Sequence, residues 1–149
     1  MATGLVNGTD LLLRVGDSNS NEAIIAYSTS CSLEISSDEI DQTNKDSQGW
    51  KQIILGTKSW SVSCEALYQN EADSNEDFID LFDHIAGTNS GVKMYVELAV
   101  AGGSSGDANK YYHGEAYVTA LSVNGGTEDQ ATWSVTLVGT GKITESAVA

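Results

Sequence analysis

A two-residue alternation of large apolar and small hydroxyl side chains most constrains what this chain can fold into. Residues 59–68 read SWSVSCEALY, and residues 132–141 read TWSVTLVGTG. Successive side chains of a β-strand point to opposite faces, so each segment has one apolar face and one face of serine and threonine. The repeat predicts two half-buried strands. Their predicted core residues are Trp60, Val62, Trp133, Val135 and Leu137.

Five further segments carry strand patterns. Three are alternating rows, namely Cys31, Leu33 and Ile35, then Val92, Met94, Val96 and Leu98, then Tyr117, Thr119, Leu121 and Val123; the other two are the runs DLLLRVG and EAIIAYST. Seven strands and few helices favour two packed antiparallel sheets in a mainly β fold, a sandwich or a barrel.

One segment, SNEDFIDLFDHIAG, has a helical period instead. Its apolar residues are spaced by three and four, which predicts one α-helix over about residues 75–86 that flanks a sheet. Ser74 with Asp77 forms a candidate capping box. Both Phe78 and Phe82 lie on the apolar stripe, so both are expected in the core.

The 149 residues are enough for one domain with a core of its own, and we expect a single domain over 1–149. Flexible arms are expected at 1–9 and 143–149. The polar segment 37–56 is expected to be a long loop, and loops of that length are usually functional or disordered. Because Trp50 and the triplet 53–55 are apolar, docking is favoured over disorder.

Charge excludes several classes of partner. The chain has 21 acidic and 7 basic residues and a net charge of −14, which opposes tight binding to nucleic acid or to an anionic membrane. No apolar run is long enough to span a bilayer, and the N-terminal residues lack the pattern of a secretion signal. We therefore expect production in the cytoplasm and no membrane partner. There, the two cysteines on apolar rows, Cys31 and Cys64, are expected as free buried thiols instead of a disulfide.

No motif supports catalysis, a cofactor or a metal. Residues 102–106 match G-x-S-x-G, but a strand follows where an esterase needs a helix. Residues 17–21 match the start of a calcium loop, yet the turn glycine and the closing glutamate are missing. His84 and His113 are too few for a zinc site. The sequence predicts a protein that is not an enzyme and has no cofactor.

The order and residue patterns of several segments resemble those of a known protein family. They are IDQTNKD at 40–46, WKQ at 50–52, GTKSWSVS at 56–63, GEAYVTALSVNGG at 114–126 and WSVTLVGTG at 133–141. Together they resemble the major tail protein of long-tailed bacteriophages, the tail tube subunit, over about residues 10–144. The tube proteins of contractile tails and of type VI secretion are the nearest alternative.

The resemblance implies a structural virion protein located in the phage tail tube and assembled in the host cytoplasm. Six copies would form a ring whose inner strands close a β-barrel, and stacked rings would form an acidic channel for DNA ejection. The implied partners are further copies of the chain, a tape measure protein, a tail terminator and baseplate or initiator proteins. DNA would pass transiently and without sequence specificity. A second class is a carbohydrate-binding β-sandwich module, with Tyr111 and Tyr112 as its sugar platform.

Two sets of site residues follow from the tube interpretation. The resemblance places a contact with an adjacent ring or subunit at Ile40, Asp41, Lys45, Asp46 and Trp50, although this segment could also fold back on its own domain. The serine and threonine rows are expected to face the channel. Four acids beside the apolar rows are candidates for its lining, or else for the outer surface: Glu34, Glu65, Glu97 and Glu115.

Overall fold

Strands make up most of the described residues because the two-residue alternation persists over long segments. The structure, a computed structural model, describes residues 11–16, 23–25, 28–68, 78–100 and 110–147. Its elements are β1 (Leu11–Gly16), β2 (Ala23–Ile24), β3 (Ser28–Asp41), a 3-10 turn (Lys45–Ser47), β4 (Ile53–Leu67), α1 (Phe78–Ala86), β5 (Met94–Val100), β6 (Lys110–Asn124) and β7 (Thr132–Ala147). A mainly β fold with one flanking helix is confirmed.

All seven described strands belong to one antiparallel sheet. Their order is β2-β1-β5-β6-β7-β4-β3, so hydrogen bonds connect the two sheets that the sequence suggested as separate layers. The sheet curls until β1 contacts β3, and the backbone of Leu13 on β1 reaches the thiol of Cys31 on β3. Long strands twist, and the accumulated twist lets a single sheet enclose its own core. Two layers therefore arise from one continuous sheet.

The core lies between these layers. It contains all five strand residues that the alternation places inside, Trp60, Val62, Trp133, Val135 and Leu137. Strands β1, β5 and β6 add further buried side chains, among them Leu13, Val15, Met94, Val96, Leu98, Ala116 and Val118. Helix α1 covers part of this core with Leu81, which is fully buried.

Phe82 does not lie in the core, where the helical pattern predicted it. The ring of Phe78 packs edge-on against Tyr68 and Trp133, with centroid distances of 5.6 and 6.1 Å, but Phe82 is 48% exposed. One residue along an α-helix turns the side chain by about 100°. Phe82 therefore lies at the margin of a stripe that is centred on Leu81. Residues 74–77, with the candidate capping box, lie outside the described part of the chain.

The row predicted through Tyr117, Thr119, Leu121 and Val123 does not stay on one face. Val118 pairs with Leu137 and Ala120 pairs with Thr136, so Thr119 is an extra residue in β6. Such a bulge moves every following side chain to the other face. Tyr117 is therefore exposed and Val118 buried before the bulge, whereas Leu121 packs against the core after it.

Two segments expected to be irregular are strands. The segment 37–56 is paired at both ends, with Glu39 opposite Leu55 and Asp41 opposite Ile53, so the loop spans only 42–52. The C-terminal arm is also mostly strand, because β7 pairs with β6 as far as Ala147. Pairing with a neighbouring strand makes these segments extended, although their polar composition alone suggests a loop. The N-terminal arm 1–9 and residues 148–149 are outside the described residues.

Candidate assembly surfaces

The β3–β4 hairpin extends beyond the core as an arm, defined here as residues 38–56. Within it, only Ser47 is buried and only Gly56 is half-buried, while every other residue is exposed. Ladder pairing continues along the arm as far as Asp41 and Ile53. The arm is therefore an ordered projection held by backbone hydrogen bonds.

Side-chain hydrogen bonds shape the tip of the arm. Asn44 caps the 3-10 turn by accepting the amide of Asp46 at 2.8 Å, and its own amide donates to the hydroxyl of Ser47 at 3.0 Å. Left-handed backbone at Gln48 and Gly49 then reverses the chain. These local bonds form without a partner, so the tip has its shape before any contact is made.

The carboxylate of Asp41 closes the base of the tip. It accepts a 2.8 Å hydrogen bond from the amide of Thr43. Hydrogen bonds from the hydroxyl and the amide of Thr43 favour the charged form and lower the pKa of Asp41 below its ordinary value. On the other strand of the arm, the backbone amide of Gln52 donates a 3.0 Å hydrogen bond to the Thr43 hydroxyl. Thr43 thus links the two sides of the loop.

Both faces of the arm carry exposed apolar side chains, although Glu39 and Asp41 share one of these faces with Leu55 and Ile53. Ile53, Ile54 and Leu55 are consecutive strand residues, so they point to alternate faces, and all three are exposed. Ile40 pairs with Ile54, Leu55 is 63% exposed, and Trp50 at the tip is 78% exposed. Exposed apolar patches on this scale mark contacts with other proteins. An arm with two such faces is suited to lie between two partner surfaces.

The structure brings the five predicted contact residues onto this one arm. Ile40 and Asp41 end β3, Lys45 and Asp46 lie in the 3-10 turn, and Trp50 follows it; all five are exposed. Sequence reasoning missed Ile35, which is also exposed although it continues the apolar row of β3. The alternation could not indicate this exposure, because β3 continues beyond the part of the sheet that packs on the core.

The face opposite the core on β3, β4, β7 and β6 is lined with small polar side chains, and we call it the hydroxyl face. Its members are Ser30, Ser32, Glu34 and Ser36 on β3, Ser59, Ser61, Ser63 and Glu65 on β4, Thr132, Ser134, Thr136 and Val138 on β7, and Tyr117, Ala120, Ser122 and Asn124 on β6. None of them is lysine or arginine.

Hydroxyl groups of neighbouring strands bond to one another across this face. Ser32 contacts Ser63 at 2.7 Å, Ser36 contacts Ser59 at 3.0 Å, and Ser122 contacts Ser134 at 2.5 Å. Each pair satisfies hydroxyl groups within the sheet. The surface is therefore wettable, but it presents no cation to an anionic polymer.

The four candidate acids divide into two pairs. Glu34 and Glu65 belong to the hydroxyl face, and neither forms an ion pair within the described residues. Glu97 lies 3.6 Å from Arg14 and its side chain is only 15% exposed, whereas Glu115 lies 2.7 Å from Lys93. Ion pairing offsets the charge of the second pair, which leaves Glu34 and Glu65 as the acids of this face.

The other candidate sites receive no support from the geometry. Tyr111 and Tyr112 are consecutive in β6 and point to opposite faces, so they do not form the expected flat sugar platform. The G-x-S-x-G segment is outside the described residues. Among those described, no cluster of His, Cys, Asp and Glu could hold a metal ion, and no helix is long and apolar enough to cross a membrane.

An ordered arm with exposed apolar side chains on both faces and a hydroxyl face without lysine or arginine are features that suit a structural protein. The family model for phage tail tube proteins matches residues 5–145. The chain belongs to the phage tail tube protein family, as the sequence resemblance indicated. This family is defined by a structural component of the tail and not by a reaction, in agreement with the prediction that the chain is not an enzyme.

Solved structures share the fold at low sequence identity. The tail of an empty gene transfer agent particle, refined helically with C6 symmetry, has a TM-score of 0.75 at 20% identity and covers 96% of this chain and 100% of that one. The SPP1 tail tube gives 0.76 at 11% identity, with 97% and 80% covered. A sheath-tube complex of the extracellular contractile injection system PVC gives 0.68 at 17% identity, with 98% and 94% covered. No curated protein sequence matches the chain.

Proposed function

We propose that six copies of this chain form a ring and that stacked rings form the tube of a phage tail, through which DNA leaves the particle. Family membership supports the tube, and the C6 symmetry of the similar gene transfer agent tail supports six copies. The single observation that carries the proposal is the four-stranded hydroxyl face, because an isolated domain has no need for a cation-free polar wall opposite its core.

The hydroxyl face lines the channel in this proposal. Six copies of its four strands enclose a wall of small, hydrated side chains on which DNA finds no lysine or arginine. Glu34 and Glu65 repel phosphates over the screening distance of about 8 Å at physiological salt. DNA then passes without adhering, because adhesion depends on cations that replace its counterions.

The arm joins neighbouring subunits or rings. The apolar side chains on its two faces become buried when it lies between copies, and burial of apolar area contributes about 25 cal/mol per Å². The terminal strands of the sheet, β3 and β2, pair with adjacent copies, so ring closure removes the free sheet edges that otherwise promote aggregation. Assembly thus accounts for the exposed apolar side chains of the arm and for the free edges of the sheet.

The remaining partners follow from the tube. A tape measure protein occupies the growing channel, a tail terminator ends the tube, and baseplate or initiator proteins begin it. The similarity to a sheath-tube complex favours a second candidate, the tube of a contractile system. Finding a sheath around native tubes would select the second candidate.

Assembly of purified chain tests the contact role of the arm. We expect tubes by negative-stain microscopy at rising concentration, or after addition of an initiator complex. Trp50→Ala should shorten or abolish the tubes without changing the circular dichroism spectrum. Val92→Ala removes apolar surface from an exposed site outside the arm and should assemble normally. Normal tubes from Trp50→Ala would remove the arm tip from the contact surface.

Charge reversal tests the channel assignment. Tubes of Glu65→Lys should retain a fluorescent DNA oligonucleotide at low salt and release it as salt rises, whereas wild-type tubes should not retain it. Glu128→Lys makes the same charge change in the turn between β6 and β7, outside the strands that form the hydroxyl face. A reconstruction by cryo-electron microscopy with the hydroxyl face on the outside of the tube would refute the proposal directly.

A further inference from the structure

The two cysteines of the chain lie directly opposite each other on neighbouring strands. Cys31 on β3 pairs with Cys64 on β4, and their Sγ atoms are 2.6 Å apart. Both thiols are free in the structure. The next pair along the ladder, Ser32 and Ser63, is joined by a hydrogen bond that holds the same register.

The strand geometry permits a covalent link here without backbone movement. Directly opposed Cα atoms in an antiparallel pair are about 4.5–5.5 Å apart. Disulfides join Cα atoms that are about 4.4–6.8 Å apart. The ladder therefore already places Cys31 and Cys64 within bonding range.

The two thiols differ in access and acidity. Cys31 is partly exposed, whereas Cys64 is 2% exposed. The hydrogen bond from Cys64 lowers the pKa of Cys31, while the same bond together with burial raises the pKa of Cys64. The more accessible thiol is thus the one more readily converted to the nucleophilic thiolate.

We propose that Cys31 and Cys64 form an oxidisable dithiol, which closes to an intramolecular disulfide on reaction with a small-molecule disulfide such as oxidised glutathione. The thiolate of Cys31 attacks one glutathione sulfur, forms a mixed disulfide and expels one glutathione thiolate, which takes up a proton. Cys64 then loses its proton and attacks Sγ of Cys31, expelling the second glutathione thiolate. The protein loses two electrons and two protons, and the small disulfide is reduced to two thiols.

The bond would join β3 and β4 beside the core, seven residues before the arm begins on β3. It closes a loop that contains the whole arm, because residues 31 and 64 flank it on β3 and β4. Reducing conditions in the cytoplasm keep such thiols free, while the medium outside a cell oxidises them. The timing of oxidation in a released particle rests on the proposed function, whereas the chemistry concerns the chain alone.

The test uses the purified full chain with oxidised glutathione at mildly alkaline pH, followed by thiol titration in denaturant and intact mass spectrometry. Wild type should lose both thiols, retain no glutathione and weigh less by two hydrogen atoms, and its non-reduced digest should link the peptides of Cys31 and Cys64. Cys64→Ser should stop at the mixed disulfide and gain one glutathione. Cys31→Ser should react more slowly than Cys64→Ser by roughly tenfold or more, because only the buried thiol remains.

The unfolded chain provides the matched control. In urea the two thiols are far apart on average, so ring closure from the mixed disulfide should be roughly tenfold slower or more than in the folded chain. Circular dichroism verifies that each serine variant is folded. Two free thiols, two retained glutathiones or disulfide-linked dimers in the folded wild type would each overturn the proposal. These outcomes do not depend on tube assembly, so they leave the proposed function untouched.

Discussion

The indole ring of Trp60 occupies the space in which a side chain at position 139 would lie. A Cβ atom at Gly139 would overlap Cδ2, Cε2 and Nε1 of the ring. The ring has little freedom to move, because its Nε1 donates to the carbonyl of Gly141 at 3.1 Å. On its other edge, a Cβ atom at Gly114 would lie only 2.7 Å from Cζ2. Gly139→Ala should therefore be strongly destabilising.

The cost can be bounded from this geometry. Overpacking a core costs about 1–3 kcal/mol, and the overlap with several ring atoms favours the upper end. Displacing the ring also breaks the Trp60 hydrogen bond, which contributes about 1 kcal/mol. We expect the free energy of unfolding to fall by about 3–4 kcal/mol. At about 2–4 °C per kcal/mol for a chain of this length, the melting midpoint should fall by about 6–16 °C.

Urea denaturation of the unassembled chain, followed by circular dichroism, measures this change. Gly125→Ala is the matched control, because its added Cβ would meet only Ala131 at an ordinary 3.8 Å; its free energy of unfolding should change by less than about 0.5 kcal/mol. In a Trp60→Phe background the smaller ring leaves room, so the cost of Gly139→Ala should fall by about 1 kcal/mol or more. Equal midpoints for the two glycine variants would refute the packing argument.

Three further predictions concern individual side chains and one covalent bond. The hydrogen bonds that lower the pKa of Asp41 exist only in the folded tip, so they stabilise the fold at pH values above the pKa of the unfolded chain. That stabilisation is lost as the pH falls through the pKa of the folded chain. Thr43→Val should raise the pKa of Asp41 in a carbon NMR titration, and an unchanged pKa would contradict this assignment. A disulfide between Cys31 and Cys64, 33 residues apart, should raise the free energy of unfolding in urea by about 3–4 kcal/mol, a gain that dithiothreitol should abolish. Asp83→Ala should cost about 1 kcal/mol in the same assay, because its carboxylate accepts hydrogen bonds from the turn after α1; no loss would mean that those bonds are replaced by water.

The arm shows what local composition contains and what it does not. The apolar residues Trp50 and Ile53 within a polar segment predicted docking over disorder; both are exposed on the ordered arm, and the docking itself stays a prediction. The same polarity suggested a loop over 37–56, whereas Glu39 and Leu55 are paired in a ladder. Strand pairing depends on which partner is opposite, and local composition does not contain that information.

The alternation of Trp60, Val62, Trp133 and Val135 by itself determined that the fold is mainly β and which strand faces are buried, because the two-residue period of a strand is a local property. Only the tertiary structure decided how the sheet closes: the bulge at Thr119 exchanges the faces of β6, and the curl of one sheet brings β1 to β3. It also decided that Cys31 and Cys64 are neighbours, and that Arg14 and Lys93 pair with Glu97 and Glu115. Each of these facts depends on the register between segments far apart in the chain, and register follows from the packing of the whole sheet.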